Sequence, residues 1–315
     1  MTGVQTCALP IYGFTGGVIT QEAAVGSSAY HGGAVELLHR FSRGLMLRAN
    51  YTFAKTMDNS TNDLNTSAVN PRRPQDSYNL RNEWARSALD VTHKVALTWV
   101  YDLPSPNWSN RFARGAAAGW EWTGSYLFQS GQPVTIQSGV DSNGNLDAAG
   151  DRAILNSAGS QGVGSTVSRV CRDPATGATF VATATTPCGA TAAAANQNTV
   201  GYVANTPNAR YIQAGAGAVP NLGRNTFNSP YFNVWNMSIL KNQKLTERFR
   251  LQIRADAYDV FNHPNYTFGN LSVFQVTTNA LSQNYANLNT GSGFLDKTRF
   301  DGGSRIIQLG LKLTY

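Results

Sequence analysis

The chain has 315 residues, 42% of them hydrophobic and only 14% charged, and a formal net charge of +7 at pH 7. Charge is scarce beside the roughly 25% of soluble domains, and no apolar run approaches the roughly 18 residues of a spanning helix. A helical membrane protein is therefore excluded. Lysines and arginines are scattered singly, which argues against a nucleic-acid partner. A β-barrel stays open, because its strands carry apolar residues only at every second position.

The chain opens with Met1 to Ile11 (MTGVQTCALPI). This stretch resembles a translated sequencing-adapter oligonucleotide and lacks the basic start and long apolar run of a signal peptide. It is read as an artefact, with the authentic frame expected to continue upstream. Residues 29–42 then place Val35, Leu37 and Phe41 on one strand face. Ser42-Arg43-Gly44 makes a tight turn, and Leu45, Leu47, Ala49, Tyr51 and Phe53 alternate with Met46, Arg48, Asn50 and Thr52, so a hairpin is predicted. A polar stretch, 57–89, follows.

Alternation resumes over 90–103, with Val91, Val95, Leu97, Trp99 and Tyr101 on one face. A connector of 104–119 leads to Trp120, Trp122, Tyr126 and Phe128. From about 131 to 229 the chain is mostly Gly, Ala, Thr, Ser and Asn. A structureless loop of that length does not suit a compact soluble domain but suits an external barrel loop, with hairpins expected near 133–138 and 199–213. Strands return at 231–242 and 248–261. In the second, Phe249, Leu251, Ile253, Ala255 and Ala257 face out, while Arg250, Arg254 and Asp256 face in. After a polar loop, 262–303, the last strand sets Ile307, Leu309, Leu311, Leu313 and Tyr315 against Gln308, Gly310, Lys312 and Thr314.

Short turns thus alternate with long polar loops, as in outer-membrane barrels, where short turns face the periplasm. Phe41, Tyr101, Trp120, Phe249 and Tyr315 fall at short-turn strand ends, where an interfacial aromatic girdle belongs. The fold class read from this pattern is all-β: a transmembrane antiparallel β-barrel, partial, with about seven or more strands of a larger barrel and long extracellular loops. Bacterial single-chain barrels use an even number of strands, at least 8, so residues 12–315 are read as the C-terminal portion of such a barrel. Outer-membrane lipid is its expected solvent.

Several segments, in order, resemble TonB-dependent receptors of the Oar-like type, which carry a carboxypeptidase-regulatory-like domain. They are Tyr51-Thr-Phe-Ala-Lys-Thr56, Arg86-Ser-Ala-Leu-Asp-Val-Thr-His93, Trp99-Val-Tyr-Asp-Leu-Pro104, Gln129-Ser-Gly-Gln-Pro133, Gly223-Arg-Asn225, Asn233 to Lys241, and Arg254 to Pro264. Asn236 stands where aspartate is commoner in that family. The resemblance implies a barrel of about twenty-two strands, a plug and an N-terminal TonB-interacting segment, the latter two absent from this chain. It also implies energised uptake of an unidentified solute, driven by the TonB complex. The C-terminal strand, with Ile307, Leu309, Leu311, Leu313 and Tyr315, is similar to the signal read by the barrel assembly machinery.

Candidate sites are few. Arg250, Arg254, Asp256, Gln308 and Lys312 line the lumen, as plug or solute contacts or as a hydrating polar ladder. Asp141, Asn143, Asn145 and Asp147 space oxygens as the start of a calcium loop does, although Asn/Gly/Asp is also ordinary turn chemistry. No other cofactor is expected. Cys171 and Cys188 can close a disulfide in an oxidising compartment. His31, His39, His93 and His263 form no metal pair, Gly159–Ser165 lacks the strand-to-helix setting of a phosphate loop, and Asp256 and Asp259 face opposite ways. The chain is therefore read as a transporter and not an enzyme, with a surface or adhesion protein as the alternative.

Overall fold

The computed structural model describes residues 5–10, 18–41, 44–60, 74–144, 150–218, 220–265, 286, 288, 294, 295 and 304–315. Among the described residues, seven long strands follow one another as an antiparallel meander: β1 (Ser28–Arg40), β2 (Leu45–Asp58), β3 (His93–Asp102), β4 (Trp120–Gln129), β5 (Phe232–Lys244), β6 (Arg250–Tyr258) and β7 (Ile306–Thr314). Each pairs with its neighbours in sequence, and the short strand Ala85–Arg86 adds to β2. Among the described residues β1 and β7 do not pair with each other, so the wall is an open sheet. Within residues 1–11, Gln5–Pro10 pairs with Val18–Ala23 as a separate two-stranded ribbon.

The register carries the alternation across the wall. Opposed residues in an antiparallel pair share a face, so one row runs Leu309, Ala255, Ile239, Trp122, Tyr101 and Leu45. The row behind it runs Gln308, Asp256, Ser238, Thr123, Val100 and Met46. Val35, Leu37, Phe53, Ile239, Ile253, Ile307, Leu309 and Leu311 stand exposed on the apolar face. In water such a surface would be unfavourable at about 25 cal/mol per Å²; as a continuous band it suits a lipid environment. Phe41, Trp120, Phe249 and Tyr315 are exposed, and together with Tyr101 they end the strands on the short-turn rim.

One close approach on this face depends on a glycine. Trp99 opposes Gly124, and a Cβ at Gly124 would lie 2.1 Å from the Trp99 ring. The ring therefore lies across β4, where it meets Trp122 at 5.3 Å and Trp235 at 6.2 Å between centroids, and Trp235 stacks on Tyr126 at 4.1 Å. Gly124→Val is expected to expel Trp99 from this cluster and to destabilise the wall by about 1–3 kcal/mol, the usual cost of overpacking. Denaturant unfolding in bilayers, followed by tryptophan emission, measures it.

The connections depart from the sequence reading in two places. The connector 104–119 contains a helix, α1 (Arg111–Ala117), with Asn110 as N-cap accepting from Phe112 N at 2.9 Å and Ala113 N at 3.2 Å. Asparagine at this position satisfies amide donors that a first helical turn leaves free.

The segment 131–229 is a folded cap and not a structureless loop. Its Pro133–Val134 pairs with the distant Phe227–Asn228 instead of forming a local hairpin. The stretch 199–213 is divided between two sheets. Thr199–Ala204 pairs with Val167–Arg172, and Ala209–Ile212 pairs with Ser160–Ser165 and Ile154–Leu155. A second helix, α2 (Ala192–Asn198), is capped by Thr191. The cap contains the buried hydrophobic cluster: Val134, Ile136, Ala153, Tyr211 and Leu222, joined by Ala286 and Leu288 from the following loop. Small residues conceal this core in the sequence, because a few aliphatic side chains dispersed over ninety positions show no period.

Candidate functional site

The polar face of the wall brings together the residues expected there. Arg254 opposes Gly310 and Asp256 opposes Gln308 across β6 and β7, while Gln252 opposes Lys312. Asp256 accepts from Ser238 Oγ at 2.5 Å and from Arg254 at 2.7 Å. Gly310 leaves room for the Arg254 stem, since a Cβ there would sit 2.9 Å from Arg254 Cγ. Nearer the short-turn rim, Lys244, Arg250 and Lys312 line an open depression of about 490 Å³ with Asn242, Gln252 and Thr314. The sequence reading missed Lys244, which opposes Arg250 on β5. Three cations and no acidic residue in the lining give this depression a positive character.

Asn236 acts from the same face. Its Oδ1 accepts from Asp259 N at 3.1 Å while its Nδ2 donates to Ser125 Oγ at 3.4 Å. An aspartate would have to accept in both contacts, with Ser125 Oγ turned to donor.

At the long-loop end the cap is joined to the wall by buried charges. Arg224 donates to the Glu83 carbonyl at 2.9 Å and to both the carbonyl and carboxylate of Asp58, the last residue of β2. Arg152 pairs with the Glu83 carboxylate, and all four side chains are at most 6% exposed. Burial pulls the Arg152 guanidinium below its ordinary value, and the Glu83 carboxylate opposes that shift. Beside them Asn225, at φ 56°, donates to Arg86 O at 2.6 Å and exchanges bonds with Thr135 Oγ1. Arg86 pairs with Asp90, whose Oδ1 accepts from Thr56 N on β2 at 2.6 Å. The Gly223-Arg224-Asn225 and Arg86–His93 segments are therefore two halves of one clamp. Sequence spacing could not reveal it, because the contacts of Arg152 and Arg224 with Glu83 and Asp58 span 69 to 166 residues.

The calcium candidate is divided. Asp141 accepts from Gly144 N at 2.8 Å, an ordinary turn contact, and Asn143 donates to Gln75 O at 2.9 Å. Asn145 and Asp147 lie outside the described residues. Among the described residues, no three His, Cys, Asp or Glu side chains converge as metal ligands.

Asp151 is fully buried nearby and accepts from Ser142 N at 2.6 Å. Burial, helped by the Asp141 charge, raises its pKa from 3.8 to about 6. A carboxyl raised in the folded state stabilises the fold below its unfolded pKa, and that contribution is lost as pH rises through the folded value. The cap is therefore expected to melt at a lower temperature at pH 7.5 than at pH 4.5 in calcium-free buffer. Asp151→Asn should flatten that dependence; an unchanged pH profile in the variant would locate the titration elsewhere.

Cys171 and Cys188, both buried, are joined as a disulfide with Cα atoms 5.4 Å apart. The bond ties the strand Val167–Arg172 to the segment that precedes α2. Gly159–Ser165 contributes a strand and no phosphate loop. His93 Nδ1 and Tyr51 Oη share a hydrogen bond of 2.9 Å on the apolar face. Ile307, Leu309, Leu311 and Leu313 project from β7 with more than half of each side chain exposed, and Tyr315 ends the chain almost fully exposed.

No curated protein matches this chain. A family model described as an outer membrane beta barrel domain matches residues 3–308, nearly its whole length and including most of the adapter-like start. That match and the exposed apolar band lead to one conclusion: the chain belongs to the outer membrane beta barrel domain family and resides in the outer membrane.

Proposed function

We propose that the chain forms the wall and external cap of a receptor for TonB-energised solute uptake, acting as a transporter without catalysis of its own. The observation that carries this reading is the cap. A loop that only closed a strand connection would not need a hydrophobic core, a disulfide and four buried charges holding it to β2. An immobilised cap over the long-loop end provides a preorganised surface for capture. At the opposite rim the cationic depression of Lys244, Arg250 and Lys312 suits acidic groups of a plug or an anionic solute. TonB, supplied through an N-terminal region, would provide the work of opening.

Growth of cells on a panel of sole nutrient sources tests this, with receptor and TonB each present or deleted. One nutrient should require both. If no nutrient depends on TonB, the uptake reading fails.

The adhesion alternative draws on one observation, the exposed Val181, Val200 and Val203 on the cap sheet of Thr179–Val181, Val167–Arg172 and Thr199–Ala204. Replacing the segment between Ser130 and Tyr231 with a short turn separates the two readings. A receptor loses uptake, whereas an adhesin loses attachment alone.

A further inference from the structure

A lysine on the apolar face needs a physical reason. Lys241 opposes both Trp120 and Ile253, so it shares their lipid-facing side. Yet it is only 7% exposed. Its Nζ donates to the carbonyls of Gly115 at 2.6 Å and Ala116 at 3.0 Å and to that of Ala118, and lies 5.5 Å from the Trp120 ring centre. Trp120 Nε1 also donates to Ala116 O at 2.9 Å. Two outward-facing side chains thus hold the carbonyl end of α1, where a cation belongs. The helix consequently sits on the outer, lipid-side surface of the barrel, at the short-turn rim, and not beneath the lumen.

What α1 and its flanks present there is apolar and basic. Phe112 is 89% exposed, Trp108 52% and Leu103 40%. The segment 103–119 carries Arg111 and Arg114 and no acidic residue. These side chains continue the girdle of Phe41, Trp120 and Phe249 beyond the strand ends. The short-turn rim of an outer-membrane barrel faces the periplasm, so the surface beside it is the periplasmic leaflet. Aromatic side chains settle at headgroup level, and basic residues near an anionic surface each add about 1 kcal/mol.

We propose that α1 and its flanks lie in the headgroup layer of the periplasmic leaflet and bind anionic phospholipid, with Phe112 and Trp108 inserted and the basic charge of the segment drawn to the phosphates. Lys241 is the positioning residue that orients the helix for this contact. The inference rests on the barrel and its orientation and is independent of any transport role.

The test uses the full chain with Cys7→Ser and Phe112→Cys, which leaves one reactive thiol beside the Cys171–Cys188 bond. A spin label at position 112 is read in vesicles of phosphatidylcholine with or without phosphatidylglycerol, and heat-modifiable mobility confirms folding. Because Phe112 is exposed, the label itself does not disturb packing. With phosphatidylglycerol the label should be reached by oxygen and shielded from a water-soluble nickel chelate. Removing that lipid should raise nickel access up to about thirtyfold, the equivalent of about 1 kcal/mol for each arginine. Arg111→Gln with Arg114→Gln should abolish the lipid difference. A label open to nickel in both vesicles would overturn the proposal, leaving α1 in water or under a protein partner. Shielding that ignores phosphatidylglycerol would overturn the anionic preference.

Discussion

Arg224→Ala is expected to release the cap from the wall. Removing the guanidinium takes from the buried Asp58 carboxylate its Arg224 partner and leaves the Glu83 carboxylate to Arg152. It also removes the bonds that Arg224 gives to the Asp58 and Glu83 carbonyls. Breaking a buried pair by deleting one member costs about 3–5 kcal/mol, because the remaining charge is uncompensated. That is comparable to the stability of a small cap, so the loss should be local and large. Amides of Val134, Ala209–Ile212 and Phe227–Asn228 should exchange much faster, while those of β5 and β6 stay protected. Limited proteolysis between 131 and 229 should increase in parallel. Arg224→Lys should recover little, since a single ammonium cannot reproduce a fork that serves Asp58 and Glu83 together. If cap exchange is unchanged in Arg224→Ala, the clamp does not hold the cap.

Leu309→Arg is expected to block insertion, and Gln308→Arg, one residue away, to be tolerated. Leu309 lies near the middle of β7, is 79% exposed, and opposes the small Ala255. Little protein packing is lost when it is replaced, so the measured effect isolates transfer of the side chain into lipid. An arginine on the lipid face costs about 2–4 kcal/mol at the bilayer midplane. Gln308 opposes Asp256 on the polar face, where an added guanidinium meets water and a carboxylate. Folded yield in vesicles, read by heat-modifiable mobility, should fall steeply for the first variant and little for the second. Equal tolerance would mean that the apolar face does not meet lipid.

How far the sequence alone reached follows from the range of the interactions involved. The seven wall strands, their order, the strand-end aromatics Phe41, Tyr101, Trp120, Phe249 and Tyr315, and the single face shared by Arg250, Arg254, Asp256, Gln308 and Lys312 were all legible. Each depends on a period of two that any short window contains. Strand ends were less exact: β2 runs to Asp58, because Ala85–Arg86 returns to pair with Met57 and Asp58, a contact no local window shows.

Only the tertiary structure decided the cap. Its core comes from Val134, Ile136, Tyr211 and Leu222 meeting Ala286 and Leu288, and its attachment from Arg152 and Arg224 meeting Glu83 and Asp58. Lys241 is the clearest case. By alternation it is a charge on the lipid face, and only the carbonyls of α1, more than 120 residues earlier in the chain, satisfy it. Alternation of side chains is a local property of extended backbone, whereas the partner that neutralises a buried charge is chosen by the folded chain as a whole.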